Sequence, residues 1–265
     1  MKHPVKPAGK VFIVGAGPGA DDLVTLRGLH ALQQAEVILY DALMPAKLLE
    51  QAPSSAERIY VGKRCGRHSL KQEEITRLIL AKAREGKIVV RLKGGDPLIF
   101  GRGGEEALAC AEAGVDFEIV PGVSAVLGAA AFAGIPLTHR GIASSVAFVT
   151  AHGARCGESP DLSWINLANA VDTLVIFMGS AWLGRIADAL IESGLPGTRP
   201  VAVVSNATCE SQVTVLGTLE TIAEQVAQAG LETPMLIIVG EVTRLSEALN
   251  WFKRQQAAAR LPVLP

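Results

Sequence analysis

Aromatic residues are scarce in this chain of 265 residues: they make up 5% of the sequence, whereas hydrophobic residues make up 49%. The core must therefore be aliphatic, which is typical of parallel sheets covered by helices. No apolar run reaches the roughly 18–20 residues of a membrane-spanning helix. The N-terminal residues are not followed by the apolar segment of a secretion signal. We therefore expect a cytoplasmic protein that does not enter a membrane.

Paired cysteines and clustered histidines are also lacking. The four cysteines lie far apart in the chain and form no CxxC motif, which favours reduced thiols over a disulfide framework. The five histidines show neither HxH nor HxxxH spacing, so the sequence gives little support to a metal site.

Net charge is low, at −1, but the charges are unevenly distributed. Residues 57–102 contain twelve Lys and Arg against five Asp and Glu. Two interpretations remain open: solvated helix faces, or an electropositive rim that attracts an anionic ligand. Nucleic acid is disfavoured as a partner because aromatic residues are few and no basic helix or RNA-binding signature is present.

Strands and helices alternate through the first half of the chain. Apolar segments predict strands at 11–14, 37–40, 59–61, 88–92 and 117–120. Between them, Asp21 or Asp22 is the predicted N-cap of a helix at 22–34, and Ser69 that of a helix at 72–84. This alternation predicts a mostly parallel α/β sheet.

The second half contains further apolar segments and one alternating run, at 212–216, which indicates a half-exposed antiparallel strand and a mixed sheet. We predict an N-terminal α/β domain at 10–136, a linker at 137–141 and a C-terminal α/β domain at 142–245. A C-terminal helix and tail follow at 246–265.

A glycine-rich loop follows the predicted strand 88–92 and leads into a helix that begins with two glutamates. Glycine lets a backbone approach a ligand closely, and the carboxyl ends of parallel strands are where ligands bind. Asp96 lies in this loop, between Lys93 and Arg102. We therefore predict that the binding site includes this loop.

The first glycine-rich segment, residues 15–20, imitates a dinucleotide-binding loop. However, Pro18 removes a backbone N–H, and Asp21 and Asp22 place negative charge where a pyrophosphate would lie. A tight structural turn and a loop against a phosphate-free ligand both remain open. S-adenosylmethionine fits the second interpretation, but the residues alone do not single it out.

Several segments together resemble the tetrapyrrole (precorrin) methylase family. They lie at 14–19, 23–28, 40–41, 61–64, 90–106 continuing to 122, and 134–141. The likeness runs from about Gly9 to Arg244. It implies two α/β domains with a ligand cleft between them, a homodimer, and S-adenosylmethionine as methyl donor, with S-adenosylhomocysteine as product.

The implied substrate is uroporphyrinogen III, which carries eight carboxylates. The resemblance implies methylation at C-2 and C-7, giving precorrin-2 by way of precorrin-1, at the branch point of sirohaem, cobalamin and haem d1 synthesis. Such an anionic substrate agrees with the electropositive interpretation of residues 57–102.

Site residues follow from the same resemblance. Asp41 corresponds to the family's proton acceptor and Lys63 to its proton donor; Arg102 and Glu105 complete the expected catalytic group. Arg102, Glu105, Arg140 and Met178 are the expected substrate contacts. The expected methyl-donor contacts are Pro18, Gly94, Gly95, Asp96, Ile99, Ser124, Ala125, Met178 and Ala207.

Three other functions remain as alternatives: a methylase that acts later on the cobalamin ring, a nucleotide-dependent oxidoreductase, and a tetrapyrrole carrier without activity. Pro18 and the aspartates after it disfavour the oxidoreductase, and the intact loop at Gly94–Asp96 disfavours the carrier.

Overall fold

A computed structural model describes residues 9–62, 70–151, 162–163 and 165–259. The chain divides into two compact units, Met1–Ala125 and Val126–Pro265. Within the described residues, no helix is both long enough and apolar enough to cross a bilayer.

The first unit is built on a parallel sheet of five strands. They are β1 (Lys10–Gly15), β2 (Val37–Tyr40), β3 (Glu57–Tyr60), β4 (Ile88–Lys93) and β5 (Asp116–Val120). Their order across the sheet is β3-β2-β4-β1-β5, and every pairing is parallel. The predicted parallel α/β sheet is confirmed.

Helices cover both faces of this sheet. They are α1 (Leu26–Gln33), α2 (Gln72–Arg84) and α3 (Gly103–Glu112). Alternate residues of β1 point to opposite faces: Phe12 and Val14 pack with α1 residues, whereas Val11 and Ile13 pack with α2 and α3. The helices that follow β1 and β4 thus lie on opposite faces.

The predicted N-cap of the first helix is wrong. Asp21 and Asp22 form a separate 3₁₀ turn with Leu23, and α1 begins after Thr25, whose hydroxyl accepts the Gly28 N–H at 3.1 Å. Thr25 directly precedes α1, so its hydroxyl can reach a free N–H of the first helical turn. The two aspartates are separated from α1 by extended backbone at Val24 and Thr25.

The N-cap of the second helix, α2, is Lys71, whose N–H donates to the Glu74 carboxylate at 2.6 Å. Its predicted cap, Ser69, lies outside the described residues. The predicted end of this helix at residue 84 is confirmed, and Gly86 just beyond it adopts a positive φ of 78°.

The second unit contains a mixed sheet, as predicted. Its strands are β6 (Val146–Thr150), β7 (Thr173–Phe177), β8 (Pro200–Ser205), β9 (Val213–Thr218) and β10 (Met235–Val239), in the order β6-β7-β10-β8-β9. Only β6 and β7 are parallel among these pairs. The alternating run is the antiparallel edge strand β9.

The α-helices described from residue 125 onward are α4 (Ala125–Ala133), α5 (Leu183–Glu192), α6 (Ile222–Ala229), α7 (Ser246–Leu249) and α8 (Trp251–Ala259). The single C-terminal helix predicted within residues 246–265 is therefore two helices, which Asn250 separates. Asn250 leaves helical geometry with ψ of 80°, and its side-chain oxygen then accepts the Lys253 N–H at 2.9 Å.

Helix α4 packs with the second unit, although the sequence places it in the N-terminal domain 10–136. Val126 and Ala129 share a buried cluster with Val175 of β7 and Ile238 of β10. The Ser246 hydroxyl donates to the Ala133 carbonyl at 2.6 Å. The helix is apolar around its circumference, so its sequence could not show which sheet it covers.

The Asp172 carboxylate accepts four hydrogen bonds and so connects the start of β6 to the start of β7. One Asp172 oxygen, Oδ2, accepts the N–H of Ser144 at 2.8 Å, that of Ser145 at 3.0 Å, and both serine hydroxyls at 3.0 and 2.9 Å. These hydrogen bonds to the ionised form lower the pKa of Asp172 from 3.8 to about 2.

This depressed pKa predicts an acid-sensitive contribution to stability. Its stabilising effect is fully present above pH 3.8 and is lost as the pH falls toward about 2. In chemical denaturation across that range, Asp172→Asn should therefore lose less stability on acidification than the wild type. Replacement of the exposed Asp188 of α5 by Asn is the control, and its acid dependence should match the wild type. Parallel curves for wild type and Asp172→Asn would refute this account.

Candidate functional site

The first unit has a topological switch point between its central strand, β4, and the neighbouring strand β1. Strands β1 and β4 are neighbours, yet the chain leaves β1 toward α1 on one face and leaves β4 toward α3 on the other. A crevice at the carboxyl ends of such strands is where open α/β sheets bind ligands. Both predicted glycine-rich loops begin at this point.

The two glycine-rich loops are hydrogen-bonded to each other. The Gly95 N–H donates to the Gly17 carbonyl at 2.7 Å, and the Gly17 N–H donates to the Gly95 carbonyl at 3.3 Å. The Ala16 N–H donates to the Lys93 carbonyl at 2.7 Å. Because the Gly17 N–H is engaged and Pro18 has none, this loop offers few donors to a pyrophosphate.

Three glycines allow the backbones of three loops to meet. A Cβ on Gly122 would lie 2.4 Å from the Gly95 carbonyl oxygen and 2.7 Å from the Gly15 Cα. A Cβ on Gly15 would lie 2.6 Å from the Gly122 nitrogen. These contacts are with backbone atoms, so any larger residue would push the loops apart.

Asp96 fastens two of these loops together. Its Oδ1 accepts the Leu98 N–H at 2.9 Å and its Oδ2 accepts the Gly122 N–H at 3.0 Å. Each carboxylate oxygen keeps a second lone pair, so Asp96 can still accept a hydrogen bond from a ligand.

Most of the methyl-donor contacts predicted in this unit lie together. Ser124 is buried, and the Ala125 nitrogen is 3.3 Å from the position of a Cβ on Gly95. Gly94 is held under the loop that follows β2, because a Cβ there would lie 2.8 Å from the Leu43 carbonyl oxygen. Ile99 is exposed in the middle of an apolar run with Leu98 and Phe100.

Strained backbone coincides with several predicted contacts. Within the described ranges, five non-glycine residues have positive φ: Phe100, Arg102, Met178, Asn206 and Thr208. Arg102 and Met178 are themselves predicted contacts, and Ala207 lies between the last two. Such conformations cost of the order of 1–3 kcal/mol each and cluster at functional sites.

Arg102 and Glu105 form an exposed bidentate pair at the start of α3. Arg102 Nε donates to Glu105 Oε1 at 2.8 Å and its Nη2 donates to Oε2 at 2.7 Å. This pairing raises the pKa of the Arg102 guanidinium and lowers the pKa of Glu105. Both side chains are more than half exposed, so the pair is open to a carboxylated ligand that competes for the guanidinium.

Asp41 follows β2 at the same edge of the sheet. Its Oδ1 accepts the Leu43 N–H at 3.1 Å, and its Oδ2 accepts from Arg91 Nη2 at 3.2 Å. The Asp41 side chain is 23% exposed. Its predicted companion, Lys63, lies outside the described residues.

The buried partners of Arg91 were not predicted. Lys93 stands beside the glycine-rich loop in the sequence, but no role is predicted there for Arg91, Lys93 or Glu106. The structure buries all three, with Glu106 within 3.2 Å of both cations. The available signal was strand alternation, since Arg91 and Lys93 must point to the same face as the buried Val89.

Several cations of the basic segment 57–102 are paired with neighbouring acids. Lys82 pairs with Glu57, Lys87 with Glu36, and Arg91 with Asp41. The prediction of an electropositive rim therefore depends on its remaining cations, of which Lys63, Arg64 and Arg67 lie outside the described residues.

The second unit carries the remaining predicted contacts. Met178 follows β7, is 46% exposed and has φ of 55°, and Ala207 follows β8. Arg140 lines an open cavity of about 510 Å³. The other residues that line this cavity are Thr138, His139, Gly141, Ile142, Ala143, Ser144 and Asp172.

A known family profile matches most of the chain. The profile of the Tetrapyrrole (Corrin/Porphyrin) Methylases matches residues 10–223. The chain belongs to the tetrapyrrole methylase family. The resemblance seen in the sequence is thereby confirmed, as is the prediction of a methyltransferase.

Individual members of the tetrapyrrole methylase family match most of the chain. It is 50% identical over 238 residues to a uroporphyrinogen-III C-methyltransferase of Priestia megaterium, across 90% of this chain and 100% of that protein. It is 48% identical over 252 residues to a siroheme synthase of Chromobacterium violaceum, across 95% of this chain but 53% of that protein. The chain therefore spans about half the length of the siroheme synthases it matches.

Solved structures of tetrapyrrole methylases share the fold. A uroporphyrin III C-methyl transferase from Thermus thermophilus superposes with a TM-score of 0.77 at 43% identity, covering 89% of this chain and 100% of that one. That enzyme has also been crystallised in complex with S-adenosyl homocysteine. A cobalt precorrin-4 methyltransferase superposes with a TM-score of 0.78 at 33% identity, covering 88% and 95%.

Proposed function

We propose that this chain transfers methyl groups from S-adenosylmethionine to C-2 and C-7 of uroporphyrinogen III, forming precorrin-2 by way of precorrin-1. The observation that carries the proposal is the 50% identity to a uroporphyrinogen-III C-methyltransferase across that protein's whole length. The 33% identity to a cobalt precorrin-4 methyltransferase makes methylation later on the corrin ring the less favoured alternative.

The geometry of the first unit supports a methyl donor without phosphate. The Gly17 N–H is engaged, Pro18 has no N–H, and the acidic pair that follows is exposed. By contrast, the close backbone approach at Gly15, Gly95 and Gly122 leaves surfaces without side chains against which an adenosyl group can lie. We assign donor contacts to Pro18, Gly94, Gly95, Asp96, Ile99, Ser124, Ala125, Met178 and Ala207.

Positioning supplies most of the proposed catalysis. An electron-rich pyrrole carbon attacks the methyl carbon, the carbon–sulfur bond breaks with its electron pair going to sulfur, and S-adenosylhomocysteine leaves. The alkylated ring then loses a proton. We assign Asp41 as the proton acceptor, because its carboxylate is held by Arg91 and is partly open to ligand. Lys63 is the proposed proton donor.

Substrate carboxylates need guanidinium partners. Arg102 is exposed at the start of α3, and Arg140 is exposed beside an open cavity of about 510 Å³. An arginine fork binds a carboxylate through two parallel hydrogen bonds, which suits an eightfold carboxylated substrate. Glu105, paired to Arg102, fixes that fork until the substrate replaces it.

Replacement of Arg102 should separate substrate binding from donor binding. We expect Arg102→Ala to reduce turnover by about 10²-fold or more, because substrate orientation is lost. Its affinity for S-adenosylmethionine should stay within a few fold of wild type, as measured by calorimetry. Arg244→Ala is the control, since Arg244 forms a similar exposed pair with Glu241 at 2.9 Å. Loss of donor binding in Arg102→Ala would refute the assignment of Arg102 to the substrate and of Gly94–Asp96 to the methyl donor.

Calorimetry with S-adenosylmethionine and, separately, with NADH tests the class of enzyme. We expect binding of S-adenosylmethionine and none of NADH. Binding of NADH alone would overturn the proposed function, because the first glycine-rich loop would then accept a pyrophosphate. An enzyme that binds the donor and methylates only a later corrin intermediate would establish the alternative methylase.

A further inference from the structure

A chain of charged side chains runs from Asp41 into the interior of the first unit. Arg91 and Lys93 on β4 are each 4% exposed, and Glu106 on α3 is 1% exposed. Asp41 is the member that reaches the surface, with 23% of its side chain exposed. Charged residues are rarely buried this deeply unless they are paired, so the cluster calls for a physical explanation.

Three donors converge on one oxygen of Glu106. Its Oε1 accepts from Gln72 Nε2 at 2.9 Å, from Arg91 Nε at 3.2 Å and from Lys93 Nζ at 3.2 Å. The Lys93 ammonium also lies 3.2 Å from Oε2. Glu106 thereby joins α2, β4 and α3 at a fully buried point.

Stability alone does not account for this cluster. Well-packed apolar side chains of similar volume often stabilise a fold as much as a buried ion pair, because removing charges from water is costly. The surrounding positions show that such packing is available here: Val89 on the same strand face packs with Ala107 and Cys110 of α3. The charges therefore have a use that apolar residues lack.

Three acceptors hold two nitrogens of the Arg91 guanidinium, and its third nitrogen donates to Asp41. Glu106 accepts from Nε, and Nη1 donates to the Leu92 carbonyl at 2.8 Å and to the Leu39 carbonyl at 3.4 Å. The remaining nitrogen, Nη2, donates to Asp41 Oδ2 at 3.2 Å. A guanidinium fixed in this way sets the position of the carboxylate it binds.

Both oxygens of Asp41 are consequently fixed. Oδ2 is held by Arg91 and Oδ1 by the Leu43 N–H at 3.1 Å. Each oxygen retains a lone pair that can receive a proton. Lys93 adds a second positive charge near Asp41. Burial, and then the nearby charge of Arg91, lower the pKa of the Lys93 ammonium.

We infer that Glu106 and Arg91 are positioning residues for the proton acceptor: Glu106 locks Arg91, and Arg91 holds the Asp41 carboxylate in place to receive the proton. This inference rests on the proposed function, which assigns Asp41 as the acceptor. In the reaction, the new carbon–carbon bond forms as the carbon–sulfur bond breaks, and the proton that the alkylated ring releases passes to Asp41. Neither Glu106 nor Arg91 touches the reacting atoms.

Two conservative variants test the inference. Arg91→Lys keeps the charge but removes the fork that joins Glu106 to Asp41, and Glu106→Gln keeps the shape but removes the anion. We expect kcat to fall by about 10²-fold in each, because a displaced catalytic group costs roughly this much. KM for uroporphyrinogen III and the Kd for S-adenosylmethionine should both stay within about threefold of wild type, since uniform binding is unaffected.

A double-mutant cycle provides the decisive readout. If Arg91 acts through Asp41, Arg91→Lys should lower kcat no further in an Asp41→Asn background, because the two residues work as a unit. The control is Arg27→Lys, which disturbs an exposed pair with Glu118 at 2.6 Å in the same unit. Its kcat should equal that of wild type.

Several outcomes would overturn the inference. Equal losses of kcat from Arg91→Lys in the wild-type and Asp41→Asn backgrounds would show that Arg91 acts independently. Failure of both Arg91→Lys and Glu106→Gln to fold would assign the cluster to stability. Should only Glu106→Gln fail to fold, Arg91→Lys still completes the cycle. A wild type without methyl transfer, or a fully active Asp41→Asn, would instead refute the proposed function or the role of Asp41.

Discussion

Replacement of Gly122 by Ala is expected to lower the affinity for S-adenosylmethionine more than tenfold and the free energy of unfolding by about 1–3 kcal/mol. The added Cβ would lie 2.4 Å from the Gly95 carbonyl oxygen and 2.7 Å from the Gly15 Cα. Because both are backbone atoms, the steric clash can be relieved only if the carboxyl ends of β1, β4 and β5 move apart. That movement would also stretch the 3.0 Å hydrogen bond from Gly122 to Asp96.

A matched glycine distinguishes this effect from a general cost of substitution. Gly104 lies in α3, and a Cβ added to it would meet no neighbouring heavy atom within 4 Å. Gly104→Ala should therefore leave donor binding unchanged and raise stability by up to about 1 kcal/mol, because Ala favours a helix over Gly. Calorimetry and chemical denaturation measure both quantities. Wild-type donor affinity in Gly122→Ala would show that the close approach of the loops is not part of the site.

The Asp41→Asn variant is expected to lose about 10²–10⁴-fold in kcat, because the carboxamide cannot accept the proton released by the alkylated ring. Its shape is conserved, and its oxygen can still accept from either Leu43 or Arg91, which lie 3.1 and 3.2 Å away. Folding and donor affinity should therefore change little. Steady-state assays of methyl transfer, with calorimetry for donor binding, check both expectations.

The control for Asp41→Asn is a second aspartate of the first unit. Asp22 is exposed in the 3₁₀ turn before α1, and the proposed chemistry gives it no task. Asp22→Asn should turn over like the wild type. Full activity in Asp41→Asn would remove Asp41 from the catalytic group and leave proton acceptance to another residue.

The sheets were readily predicted from sequence because their patterns are strong. Buried parallel strands appear as short apolar runs, and β2 begins and ends at the predicted residues. The ends of helices were harder to predict than the strands. Thr25 caps α1 instead of Asp21 or Asp22 because hydroxyl and carboxylate compete for the same role, and the chain geometry decides between them.

Residues of the candidate site were predicted unevenly. The glycines and Asp96 carry a local signal, since a loop without side chains after a strand marks a close approach. The partners of Arg91 carry a signal that spans distant segments: Asp41, Arg91 and Glu106 lie on three different elements. Strand alternation fixes which way Arg91 points, but it does not show that Glu106, rather than the exposed Glu105, turns inward to meet it.

Methyl transfer to uroporphyrinogen III is the most direct test of the proposed function. The protein is incubated without oxygen with uroporphyrinogen III and S-adenosylmethionine carrying a labelled methyl group, and the product is analysed by mass spectrometry and by NMR of the labelled carbons. The proposed function predicts a product with two labelled methyl groups, at C-2 and C-7, and an intermediate with one. Unlabelled uroporphyrinogen III, recovered from a protein that binds the donor, would contradict it.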